Sequence, residues 1–273
     1  MSKAIRERAE ALKERIRYMS KKDAVKEVKK EVSILKKRYK LATVRTYLTV
    51  YRSCFSSRRS HIIKALSITD REQYQLTQKA KIKRSENMRN QVCIRDIEAM
   101  IERAKELVSS SSYNDILAGL CLLTGRRRSE LMKSAKFTRV TGSKNKLYFK
   151  GQLKTKDNKD RYIIYALGDS ADLCKSGLKR LRALKDCSKM STKEIDRRFQ
   201  KSTNTAINRH FFDFVGGDKD MVTSHRLRAV YSIYCFEYHR PKGISANLFL
   251  SELLGHKEGD FDTLNNYQRY YIE

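Results

Sequence analysis

Apolar residues recur along this chain at three- and four-residue steps, the spacing of one buried face of an α-helix. Ile5, Leu12, Ile16 and Met19 form a first stripe. Ser20 with Asp23 resembles a capping box that restarts a second helix through Val25, Val28, Val32 and Leu35. A third helix is expected from Thr43, with Val44, Tyr47, Leu48 and Tyr51 facing a core. Thr69 and Glu72 give a start signal for one or two further helices. The segment 78–90 (QKAKIKRSENMRN) is strongly polar and weakly periodic, and reads as a link between domains. Ile94, Ile97, Ile101, Ala104 and Val108 predict an amphipathic helix ending in the serine run 109–112. Ile116, Leu117, Leu120 and Leu123 predict another, which breaks at Thr124 and Gly125 and restarts with Ser129, Glu130 and Leu131.

The period then changes. Residues 146–151 (KLYFKG) and 161–166 (RYIIYA) are rich in Tyr, Phe and Ile and predict two strands of a hairpin, joined by a lysine-bearing turn. Helix returns over 171–215, with Leu178, Leu181 and Leu184 on one face and a second capping box at Ser191 and Glu194. Ile207, Phe211 and Phe214 continue the apolar pattern to Gly216 and Gly217. In the segment 223–231, His225 and Arg228 are three apart and share a helix face, while Leu227, Val230 and Tyr231 are free to pack; Ser224 is a candidate cap. A last apolar helix, 248–256, stops at Gly255, just before His256. The expected fold is therefore mainly α with a small β-hairpin or sheet. Scarce proline (Pro241 alone) and abundant Lys, Arg, Leu and Glu point the same way.

Charge narrows the function. Sixty Lys and Arg against 31 Asp and Glu give the 273-residue chain a net charge of +29. A folded chain this basic is expected to meet a polyanion, with nucleic acid first and a membrane surface as the rival. No apolar run approaches the roughly 20 residues of a spanning helix, and the first residues lack an apolar signal-peptide core. The six cysteines are scattered with no CxxC and no zinc spacing, which fits a reducing compartment. No P-loop or carboxylate cluster is present in the sequence, so neither a metal nor another cofactor is expected.

Several pieces gain meaning from their order: Gly125-x-Arg127-x-x-Glu130, a lysine on the hairpin, His225-x-x-Arg228, LLGH at 253–256, and a tyrosine soon after. This order resembles the tyrosine recombinase and type IB topoisomerase superfamily. TGRRRSE, GQLKTK, SHRLRAVYS and LLGH resemble one branch most, the protelomerases or hairpin telomere resolvases. The resemblance implies a catalytic domain over 90–273, preceded by a helical DNA-clamping domain over 1–85. It implies cleavage and rejoining of DNA through a 3′-phosphotyrosine, leaving covalently closed hairpin ends. The partner implied is double-stranded DNA with a palindromic target, bound by a homodimer in the cytoplasm of a prokaryotic or phage-infected cell, associated with the nucleoid. A conventional site-specific recombinase or integrase, and a catalytically idle DNA-binding relative, are the alternatives.

The chemistry assigns roles. Negative charge grows on the non-bridging oxygens of a phosphodiester under attack, and guanidiniums hold such oxygens in a fixed fork. Arg127 and Arg228 take this role, with His256 as a further donor. The nucleophile is a hydroxyl, assigned to Tyr267 over Tyr270 and Tyr271. Lys154, with Lys156 as the alternative, would protonate the leaving 5′-oxygen. His225 would assist proton transfer or buttress the phosphate. Glu130 is expected to support Arg127. Arg126 and Arg128 are expected at the DNA backbone or on acidic side chains. Arg45, Arg52, Arg58, Arg59 and Lys156 complete the expected DNA-binding set. The sequence runs six residues past Tyr267, short of the further helix that many relatives dock on a neighbour, so each chain is expected to use its own tyrosine.

Overall fold

The structure is a computed structural model and describes residues 3–56, 59–153, 161–215, 221–255 and 269–273. The chain divides into two compact units, 1–85 and 86–273. Among the described residues no helix is long and apolar enough to cross a membrane.

The first unit is helical: α1 (Lys3–Arg15), α2 (Lys21–Arg38), α3 (Leu41–Ser53), α4 (Ser60–Ala65) and the start of α5 (Asp70–Arg89). Ser20 caps α2 by accepting from the Asp23 amide at 3.2 Å. The apolar stripes converge on one core that includes Leu12, Val28, Leu35, Leu48 and Ile62. A buried carboxylate pins three helices together there. Glu31 of α2 accepts from the Tyr51 hydroxyl of α3 at 2.6 Å and from Arg8 Nε of α1 at 2.5 Å. Burial pushes its pKa up, but these two hydrogen bonds outweigh that and hold it below the ordinary carboxylate value. Tyr51→Phe is therefore expected to destabilise this unit by about 1.5–3 kcal/mol, the worth of a hydrogen bond to a charged group. Denaturant unfolding checks this; an unchanged midpoint would remove Tyr51 from the clasp.

The two compact units divide at 85/86, within the segment read as a polar link, and that segment is the second half of α5, a continuous helix with no buried residue. Its weak periodicity reflects a helix without a core face, built from good helix formers such as Lys, Ala, Gln and Arg. Ile94 lies in a short strand, β1 (Val92–Ile94), rather than in the following helix.

The second unit is organised around α7 (Tyr113–Thr124), whose residues 116–124 are all buried. Around it pack α6 (Ile97–Val108), α9 (Ala171–Leu184), α10 (Thr192–Phe211) and α11 (Ser224–His239). Its neighbours α6 and α9 show the one-sided apolar stripe expected of helices laid against a core. Leu184, expected on that apolar face, is 52% exposed at the end of α9. The capping box at Ser191 and Glu194 forms as the spacing predicts. Thr223, not Ser224, caps α11, accepting from the Arg226 amide.

Among the described residues one sheet has three antiparallel strands, β2 (Lys136–Arg139), β3 (Lys146–Lys150) and β4 (Tyr162–Tyr165), in that order. The first, KFTR, escaped the sequence reading because it is four residues long and mostly polar. A 3₁₀ turn, Leu167–Asp169, follows. The helix α12 (Ala246–Leu254) packs on α11 and β4. A final strand, β5 (Tyr270–Ile272), pairs in parallel with β1, matching Val92 to Tyr270. This pairing brings residues 270–272 back to the start of their own unit.

Candidate active site

The GxRxxE motif is a helix–turn–helix of minimal length. At Gly125 α7 stops with φ 62°, and a Cβ there would sit 2.1 Å from the Tyr231 ring. Only glycine meets both demands. Two residues on, Arg127 is the N-cap of α8 (Arg128–Lys133). Glu130 closes the start of the helix from one side: the Arg127 amide donates to Glu130 Oε2 at 3.0 Å, and the Arg127 guanidinium donates to Glu130 Oε1 at 2.8 Å. Glu130 is fully buried while Arg127 is 23% exposed, so the carboxylate forms a floor and the guanidinium remains reachable.

That floor is electrostatically unusual. Burial raises the Glu130 pKa, yet Arg228, Arg126 and Arg127 together hold it below the ordinary value. One carboxylate thus stands among three guanidiniums, and the cluster keeps a positive excess suited to a phosphate. Arg228, on α11, is 1% exposed and donates from Nη1 to the Gly125 carbonyl and from Nη2 to the Leu254 carbonyl at 2.9 Å. It ties the arginine turn to the C-terminal end of α12. His225, one helical turn earlier, is exposed.

The residues expected at the DNA backbone divide. Arg126 is a correction: it is wholly buried, with Nη1 donating to the Tyr162 hydroxyl at 2.5 Å, Nη2 to the Leu253 carbonyl at 2.9 Å and Nε to the Thr124 carbonyl at 3.2 Å. Its guanidinium also lies over the Phe149 ring, 5.0 Å from the centroid. This arginine joins α7, β3, β4 and α12 inside the fold and has no surface to offer DNA. Arg128 is 8% exposed and pairs with Asp196 at 2.8 Å, the acidic-partner alternative. In the first unit Arg45 is exposed, Arg52 donates to the Thr49 hydroxyl, and Arg59 donates to the Arg17 carbonyl. Arg58, Lys154, Lys156, His256 and Tyr267 lie outside the described residues.

The sequence reading passed over two polar side chains that join these pieces. Gln152 follows β3, and Tyr162 is the first residue of β4. The Tyr162 hydroxyl donates to Gln152 Oε1 at 2.6 Å, and Gln152 Nε2 donates to the Gly255 carbonyl at 2.6 Å. Burial raises the Tyr162 pKa even against the pull of Arg126 and Arg228, so its proton stays in place to donate. The only available signal was position: Gln152 stands two residues before Lys154 in a segment that reads as a solvated turn.

The rival tyrosines are placed at the tail. Tyr270 is 1% exposed in β5, and Tyr271 is 46% exposed on the same strand. The Val92 amide donates to the Arg269 carbonyl at 2.8 Å, so the tail is already held to β1 two residues after Tyr267.

Known proteins resemble this chain in sequence and fold. A family model, the telomere resolvase ResT/TelK catalytic domain, matches residues 90–270. The telomere resolvase ResT of Borreliella burgdorferi is 22% identical over 156 residues, which cover 57% of this chain and 34% of that protein. The chain thus spans about a third of the length of that relative. Protelomerase TelA, solved covalently complexed with substrate DNA, superposes with a TM-score of 0.85 at 20% identity, covering 100% of this chain and 89% of that one. A TelA variant complexed with DNA hairpin product gives 0.86 at 19% identity over the same shares. Protelomerase TelK complexed with substrate DNA gives 0.61 at 21%, covering 99% of this chain and 58% of TelK. At these identities the structures speak for the fold, which is theirs throughout the chain. The family match takes in the arginine turn, the hairpin, both α11 and α12, and the tail: this chain belongs to the ResT/TelK telomere resolvase catalytic-domain family.

Proposed function

We propose that the protein resolves DNA telomeres, cutting each strand at a palindromic target and rejoining it to its complement as a closed hairpin. The observation that carries this reading is the family match over 90–270, which spans Arg127 on its buried Glu130 floor and Arg228 beside the same turn. A reachable guanidinium, Arg127, backed by a buried counter-charge suits a phosphodiester gathering negative charge.

In this mechanism Tyr267 attacks the scissile phosphorus and forms a 3′-phosphotyrosine. Its phenolic proton leaves with the help of His225. Arg127, Arg228 and His256 hold the non-bridging oxygens. The bond from phosphorus to the 5′-oxygen breaks, and Lys154 (or Lys156) delivers a proton to that oxygen. The phosphotyrosine conserves the bond energy, so the 5′-hydroxyl of the complementary strand can attack it and release the tyrosine without ATP. Double-stranded DNA is the substrate, contacted along the first unit through Arg45, Arg52, Arg58 and Arg59, and a two-fold target favours a homodimer. The cytoplasm, at the nucleoid, is where such a target is found.

The test is a plasmid carrying candidate palindromes from the protein's own replicon, incubated in EDTA and run on a denaturing gel. Fragments that snap back after melting are expected. Exchanged duplexes would instead make the protein a conventional recombinase. The strand pairing of β5 with β1 supports cleavage in cis, because it fastens the tail to its own unit. A mixture of Arg127→Ala and Tyr267→Phe proteins should then stay inactive in strand cleavage; restored adduct formation would mean that the tyrosine comes from a neighbour.

A further inference from the structure

Gln152, just after β3, and Gly255, just after α12, stand on two segments that lead into residues assigned above to the chemistry. Lys154 is two positions after Gln152, and His256 directly follows Gly255. The Gln152 amide joins the two segments. Nε2 donates to the Gly255 carbonyl at 2.6 Å, with the Leu254 carbonyl 3.5 Å away. Oε1 accepts from Tyr162 at 2.6 Å, and Tyr162 in turn accepts from the buried Arg126.

Both ends of the amide are spent, in one orientation only. Its oxygen has a hydroxyl donor and its nitrogen has carbonyl acceptors, so the reversed amide would face like against like. The helix end it grips is shaped to receive it. Gly255 has φ 64°, and a Cβ there would lie 2.1 Å from Gln152 Oε1 and 2.5 Å from the Tyr162 hydroxyl. A glycine at a helix C-cap is common for its backbone alone. Here the missing side chain is also the space that the bridge occupies.

We infer that Gln152 is a positioning residue for the general acid: the bridge from Arg126 through Tyr162 to Gly255 fixes the point where the chain leaves β3 toward Lys154. The inference rests on the proposed strand-cleavage chemistry. It predicts a defect confined to the proton-delivery step. A misplacement of about 1 Å in a reacting group costs about 10²-fold in rate, and a proton donor matters only while the leaving group needs a proton.

The closing experiment compares two suicide-nicked DNA substrates in single turnover, one with the normal bridging 5′-oxygen and one with a bridging 5′-sulfur. With sulfur, the phosphorus–sulfur bond breaks to release a thiolate, which leaves unprotonated because its conjugate acid is far stronger than an alcohol. Gln152→Ala is expected to cleave the oxygen substrate about 10²-fold more slowly than wild type. On the sulfur substrate it should come within a few-fold of wild type, as Lys154→Ala should. Gln152→Glu, which keeps the shape but sets a carboxylate oxygen against two carbonyls, should show the same pattern. Equal losses on both substrates, or no loss on oxygen, would overturn the inference while leaving strand cleavage intact. A wild-type protein that forms no adduct with either substrate would overturn the cleavage reading and the inference with it.

Discussion

Tyr267→Phe should bind DNA as the parent does and form no covalent adduct. The substitution removes one oxygen, and that oxygen is the atom that would join phosphorus. The other side chains assigned to the site, arginines, histidines and a lysine, carry no hydroxyl to take its place. Removing a nucleophile while the remaining machinery stays costs on the order of 10⁴-fold or more in the chemical step. A suicide-nicked substrate, which cannot religate, checks this by trapping the adduct on a denaturing protein gel. Tyr271→Phe, on the exposed side of β5, should retain cleavage. Loss in Tyr270→Phe with retention in Tyr267→Phe would transfer the role to the buried strand residue.

Glu130→Ala should be the most destabilising of the changes considered. The carboxylate is fully buried, accepts from the Arg127 amide and guanidinium, and offsets three positive charges. Its removal leaves guanidiniums in a desolvated cluster without their counter-charge, for which about 3–5 kcal/mol is the usual cost. The closure of the start of α8 goes at the same time. Glu130→Gln keeps an acceptor for one donor and should fall between the two. The charge also sets a pH dependence. Since the folded pKa lies below the ordinary value, the stability from this group is complete above that ordinary value and is lost as pH falls through the folded one. Glu130→Gln should therefore lose less stability on acidification than the parent. Urea unfolding of the second unit at neutral and acidic pH measures both effects, and an Ala variant with a parental midpoint would show that the guanidiniums need no floor.

Much of the arrangement was legible in the chain, and what escaped did so for physical reasons. The pairing of Arg127 with Glu130 could be read from spacing because a capping contact is local and its partners lie three residues apart. The periodic helices α2, α6, α7 and α10 were legible for the same reason. The fate of Arg126 was not, because three consecutive arginines carry no local mark of which one turns inward. Its cradle is made by Phe149, Tyr162 and Leu253, which only the tertiary fold brings near. Arg128 likewise depends on Asp196, far along the chain. The position of the link between the units was legible but its helical state was not, because amphipathicity reports a core face and α5 has none. Gln152 was invisible because an amide in a lysine-rich turn looks solvated until the end of α12 is placed beside it.

The parallel pairing of β1 with β5 has a consequence for biosynthesis. Val92 and Tyr270 stand at opposite ends of the second unit, so their strands can join only after everything between them has been made. A contact of such long sequence separation forms late, since its closure entropy is met only once the intervening helices are in place. A chain still emerging from the ribosome would carry the arginine cluster before β5 is anchored to β1. On the proposed mechanism, cleavage would therefore have to wait for β5 to reach β1.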